Sequence, residues 1–253
     1  MPDTPKKIEG PIYVLGGGLL GCHYIGKIIR AKEEGLLAYP ELCFIDPHAD
    51  VPAVEKFAGS ARQAGSARHI EDTYTEFLEK LIQKRPGNPG ILIPDHSAPH
   101  VLFRVFLDLV QDDKRLQKRE VRVMPFPTEQ DSFPKTPFLK TLDSGICAVS
   151  YAQWTCPLEC EEPSTCPAIE KERTWNFNDA FSHYTRDHHT NPLLSSHLFS
   201  CLQLVCGVAF IPIDHIIHEW DRLTHKLESQ QKVELLVATF SKCHGIIGKA
   251  IVD

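Results

Sequence analysis

The run Gly16-Gly17-Gly18-Leu19-Leu20-Gly21 constrains this chain more than any other stretch, because of what flanks it. Before it, Pro11–Leu15 is a short apolar run that reads as a strand. After it, Leu20, Ile25, Ile28 and Ile29 recur at helical spacing. Gly16, Gly18 and Gly21 satisfy G-x-G-x-x-G, a pattern that gains meaning between a strand and a helix. The first glycine permits the tight turn, the second lets backbone approach a pyrophosphate, and the third lets helix pack on strand. The helix start then offers unpaired N–H groups to phosphates, with Leu19 and Leu20 supplying amides.

The pattern continues downstream. Glu41–Ile45 is a second short apolar run and ends at Asp46, somewhat farther from Gly21 than the ~20 residues usual for a ribose-binding acid. Thr73–Gln83 suits an amphipathic helix, Ile91–Ile93 a strand, Pro99–Val110 a helix and Val121–Met124 another strand. Strands alternating with helices predict an α/β fold with a parallel sheet. By these residues the first half resembles the Rossmann NAD(P)-binding superfamily. The resemblance implies a dinucleotide on Gly16, Gly18, Leu19, Leu20 and Gly21, with Asp46 on the adenosine ribose and a preference for NAD over NADP. It also implies a ligand crevice at the strand ends, where Asp95 and His96 become candidate catalytic groups. The plainer alternative makes Asp95 or Ser97 a helix cap.

Pro125, Pro127, Pro134 and Pro137 mark a change of organisation, which places a domain boundary near residue 130. Residues 1–130 are then a Rossmann-like domain and 131–253 a smaller α+β domain. In the latter, 146–154 and Val233–Phe240 read as strands, and 193–205 and 214–227 as helices.

The second half carries seven of the nine cysteines. Cys156, Cys160 and Cys166 follow C-x3-C-x5-C, with proline after the first and third. A proline-stiffened loop can turn such sulfurs towards one point, and thiolates bind iron–sulfur clusters or zinc. The Cys-Pro pairs are similar to the ending of ferredoxin ligand runs, though the spacing differs. Cys243 and His244 follow a strand that could return them as further ligands. Free thiols without metal are the third possibility. His188, His189, His215 and His218 lack the H-E-x-x-H form of a zinc hydrolase.

A chain that is 42% hydrophobic can bury an ordinary core, and its net charge of −6 argues against nucleic acid as partner. No apolar run approaches the ~20 residues of a membrane helix. The polar start lacks a signal-peptide core. A cytoplasmic location is expected, with thiols free or metal-bound. Exposed sheet edges would suit a homodimer.

Three functions fit these features. The first is a redox enzyme that joins the dinucleotide to a cysteine-bound metal or iron–sulfur centre and a small-molecule substrate or redox partner. The second is a nucleotide or redox sensor without catalysis. The third is a dehydrogenase of cofactor or tetrapyrrole synthesis, since Val14–Gly18 is similar to the opening of sirohaem-synthase dehydrogenases.

Overall fold

A computed structural model describes residues 5–58, 66–94, 100–116, 119–125, 136–142, 145–157, 159–188 and 190–253. In chain order the elements begin with β1 (Lys6–Lys7), β2 (Ile12–Leu15), α1 (Leu19–Glu33), β3 (Leu37–Ala38), β4 (Leu42–Ile45), α2 (Pro52–Phe57), β5 (Arg68–Ile70), α3 (Tyr74–Lys84) and β6 (Ile91–Ile93). Next come α4 (Val101–Asp112), β7 (Val121–Met124), β8 (Phe138–Leu142), β9 (Ile146–Ser150), β10 (Thr165–Cys166), β11 (Lys171–Glu172) and α5 (Phe177–Asp187). The chain ends with β12 (Leu194–Ser200), β13 (Leu202–Val205), β14 (Val208–Pro212), α6 (Ile213–Ser229), β15 (Val233–Phe240) and β16 (His244–Val252). The fold is mixed α/β.

The chain divides into two units. The first comprises residues 1–99 and 202–217, the second 100–201 and 218–253. The sequence places a single division near residue 130 instead. It misses the return of 202–217 to the first unit, which depends on long-range pairing. The second unit is therefore the larger, not the smaller.

In the first unit a sheet runs β13-β14-β6-β2-β4-β5. The pairs β4–β5, β2–β4 and β2–β6 are parallel, and β14 joins β6 antiparallel. Strands β4 and β6 are buried throughout, as continuous apolar strands covered on both faces should be. Helix α1 buries Tyr24, Ile25, Ile28 and Ile29 in the same core as Ile12, Val14 and Phe44. The β13–β14 hairpin turns on Cys206 and Gly207, both left-handed at φ 48° and 76°. Such a two-residue turn matches the twist of the flanking strands. Cys206 is exposed there.

In the second unit the sheet runs β12-β15-β16-β9-β8, and β7 also pairs with β16. Only β12–β15 is parallel among these pairs. Cys147, Val149, Phe177, Phe181, Leu236, Phe240 and Ile247 form one core beneath α5. The guanidinium of Arg119 closes the end of α6, donating to the carbonyls of Leu227 (2.5 Å) and Gln230 (2.9 Å), which the last helical turn leaves without partners.

One element departs from expectation. Residues 193–205 form two strands, not a helix. Alternate residues of β12 face inward, but the buried ones include Ser195 and His197. Their polarity hides the period-2 apolar signal on which strand recognition depends. Among the described residues, no helix is long and apolar enough to cross a membrane.

Candidate functional site

The glycine turn sits at the carboxyl end of β2 in the first unit. Gly16 is left-handed at φ 90°, a conformation glycine adopts without steric penalty. A Cβ on Gly21 would lie 2.0 Å from the Gly16 carbonyl oxygen, so helix and turn meet backbone to backbone. Gly18 differs: a Cβ there would meet nothing within 4 Å. Gly18 is also the N-cap of α1, which has no side-chain cap and no acidic residue in its first turn. The first helical bond at this end is Cys22 N–H to the Gly18 carbonyl, at 2.9 Å. Among the described residues no protein acceptor takes the amides of Leu19, Leu20 or Gly21. Leu19 is 84% exposed, an apolar side chain at the lip of the turn. Open space, unpartnered amides and the positive end of a helix dipole together fit a phosphate-bearing ligand.

Asp46 ends β4 beside this turn. Its carboxylate accepts Gly17 N–H at 2.7 Å and His48 N–H at 3.0 Å, and the residue is buried. Asp46 thereby pins the glycine turn. Each of its oxygens keeps a second lone pair for a further donor. Asp95 and His96 lie outside the described residues.

The second unit holds a different constellation. In the β9–β16 register, Ser150 lies opposite His244. The Ser150 hydroxyl is 2.9 Å from His244 Nδ1 and also donates to the Ala152 carbonyl at 2.9 Å. In this assignment Nδ1–H donates to the serine, and Nε2 carries the lone pair. That nitrogen lies 3.4 Å from Cys156 Sγ. Cys156 is half-exposed and His244 exposed, so the pair meets solvent.

Glu162 holds this arrangement together. It is buried and left-handed at φ 52°. Its carboxylate accepts from Ser241 Oγ (2.6 Å), Lys242 N (2.9 Å) and Cys243 N (3.1 Å). The cysteine loop is thereby clamped to the turn that presents His244. Trp175 Nε1 donates to Cys243 Sγ at 3.3 Å, and Trp154 packs edge-on against Trp175. Arg173 donates to the carbonyls of Glu162 and Pro163. Burial pushes the Cys156 thiol up, and the nearby Cys160, Cys166 and Glu162 push the same way, with Arg173 opposing. Burial likewise lifts the Cys243 thiol to about 11.

Of the five residues expected to hold a metal, Cys156 and His244 are in contact, and Cys243 turns to an indole. Cys160 and Cys166 act on Cys156 through charge. Among the described residues, no group of three or more His, Cys, Asp or Glu side chains is arranged to hold a metal ion.

A second histidine cluster, missed by sequence reasoning, lies in the same unit. Ser195 Oγ is 2.9 Å from His197 Nε2, and His197 Nδ1 is 2.7 Å from Glu219 Oε2. Arg222 Nη2 joins Glu219 at 2.5 Å. His197 is fully buried (0% exposed) and Phe106 packs on its ring, 5.5 Å between centroids. Burial pushes His197 down to about 4, so it is neutral at pH 7. Burial opposes ionisation of Glu219, but the hydrogen bonds from His197 and Arg222 outweigh it and hold the carboxyl at about 2. Ionised Glu219 can only accept, so Nδ1–H donates to it and Nε2 accepts from Ser195. The counter-ion of Glu219 is Arg222, not the imidazole.

Residues 101–252 match the family described as "Uncharacterized protein, C-terminal domain". No curated protein and no solved structure matches the chain.

Proposed function

The chain belongs to this AF_1314_C family, matched over more than half its length, and we propose that it is a redox protein that binds an NAD-type dinucleotide on Gly16–Gly21. The observation that carries the reading is the uncapped start of α1, whose first amides face open space beside Gly18. The parallel order β6-β2-β4-β5 supports it. We read that order as a Rossmann-like half-sheet, an arrangement in which ligands gather at the carboxyl ends of the strands. The buried carboxylate of Asp46 beside the turn favours a free ribose hydroxyl over a 2′-phosphate, which it would repel. When bound, the nucleotide supplies hydride chemistry. The chain's own part is to seat the pyrophosphate on backbone amides and orient the ribose.

Gly18→Asp tests this directly. Open space surrounds Gly18, and aspartate is a favourable N-cap, so the variant should fold with unchanged stability. Its carboxylate would occupy the phosphate position, and NADH affinity measured by fluorescence titration should fall at least about tenfold. Equal affinity in the folded variant would overturn the reading, as would wild-type protein that binds neither NADH nor NADPH. Turnover of bound NADH with a small-molecule acceptor would mark an enzyme, and binding alone a sensor.

A further inference from the structure

We propose that Cys156 is a nucleophilic thiol for acyl transfer, with His244 as its general base and Ser150 as the residue that fixes the imidazole. The site lies wholly in the second unit and is independent of the dinucleotide reading.

Three observations carry it. The Cys156 Sγ to His244 Nε2 separation is 3.4 Å, and the far ring nitrogen is held by Ser150 at 2.9 Å. A nucleophile, a base and a residue orienting that base are the components of an activated thiol. Second, both reacting groups reach solvent. Third, Trp154 Nε1 and the Nε and Nη2 atoms of Arg173 are buried with no acceptor among the described residues. An orphaned buried donor calls for a partner. Trp154 packs on the indole that binds Cys243, next to His244, and the charge of Arg173 is felt at both Cys156 and Cys243. Unfilled donors on Trp154, two residues before Cys156, and on Arg173, which braces the cysteine loop at Glu162 and Pro163, suit an oxyanion that forms only during reaction. This distinguishes acyl transfer from thiol–disulfide exchange, where no oxyanion appears.

The substrate class is an activated ester or thioester. Cys156 Sγ bonds to the acyl carbon while the thiol proton passes to His244 Nε2. The bond to the leaving oxygen or sulfur breaks with its electron pair, and the leaving group takes that proton from the imidazolium. Water then cleaves the acyl-thioester, releasing the carboxylic acid and restoring the thiol.

The test uses the full chain with p-nitrophenyl acetate. The expected result is a burst of about one p-nitrophenolate per chain, with the acetyl group on Cys156 by peptide mass mapping. Cys156→Ser should abolish the burst, while Cys206→Ser should leave it intact. His244→Ala should slow acylation about 100-fold, with partial rescue by added imidazole, a readout that a merely structural role would not move. Should His244→Ala fail to fold, Ser150→Ala serves in its place, with acylation slowed about tenfold. Acetyl groups spread evenly over the cysteines, or an unchanged rate in the folded base variant, would overturn the proposal. So would stoichiometric zinc or iron in the isolated protein that blocks acylation until a chelator removes it.

Discussion

Two histidine clusters occupy the same unit, each with a serine on one ring nitrogen, and their surroundings give them opposite uses. In Ser195–His197–Glu219 the polar chain is complete. Serine donates, imidazole relays, and carboxylate accepts with Arg222 as counter-ion. Phe106 packs on the imidazole and meets Phe199 and Trp220 edge-on behind it. In Cys156–His244–Ser150 the chain ends in a half-exposed thiol, and Trp154 and Arg173 of the same unit hold N–H groups without acceptors among the described residues. A dry, satisfied network specifies structure, whereas a wet, unsatisfied one invites chemistry. A serine–histidine–carboxylate motif is thus no evidence of catalysis until access to it has been established.

The largest expected effect tests the buried side. Glu219→Ala removes the acceptor of the buried His197 Nδ1–H, while the half-exposed Arg222 keeps water and the Ser196 carbonyl. Leaving that buried donor without a partner should cost about 2–3 kcal/mol, measured by urea denaturation. A loss under about 1 kcal/mol would mean that the cluster is solvated and that the contrast fails.

Acidity sharpens the same contrast. His197 sits below its ordinary 6.5 in the folded chain, so the unfolded chain takes up the proton first as pH falls. The stability is complete above about 6.5 and is lost as pH falls through about 4. Glu219 acts in the same direction lower down, from 4.5 towards about 2. The urea midpoint of the wild type should therefore decline from pH 6.5 to 4, and that of His197→Gln should decline less. Parallel decline of the two proteins would assign the acid sensitivity to other groups.

Local signals and long-range ones fared differently in the sequence. The glycine turn, α1, α3, α4, α6 and β15 were legible because each is written in its own residues: apolar spacing, glycine punctuation, or the Thr73 cap that accepts Glu76 N–H at 3.3 Å. Strand β12 was not, because Ser195 and His197 stand where a strand of its kind carries apolar side chains. They are tolerated there only because Glu219, on a helix far along the chain, completes the network. The candidate thiol site was half legible. Cys156 and His244 attract notice as residue types. Their pairing depends on the β9–β16 register that sets Ser150 opposite His244, and on the Glu162 clamp across the cysteine loop. Neither leaves a trace in residue spacing. The return of residues 202–217 to the first sheet is hidden for the same reason.

The smallest expected effect is the most discriminating. Ser195→Ala removes the donor to His197 Nε2 in a water-free interior. An unsatisfied lone pair there should cost about 1–2 kcal/mol. His244→Ala removes an exposed ring, and water replaces its hydrogen bonds, so the loss should stay within about 0.5 kcal/mol. The exposed ring makes more hydrogen bonds than the buried hydroxyl, so burial and not bond count separates the predictions. If His244→Ala proves as destabilising as Ser195→Ala, then His244 is a strut of the β15–β16 turn. The imidazole would then be held in place for structure, and the case for it as a base would rest on rescue by imidazole alone.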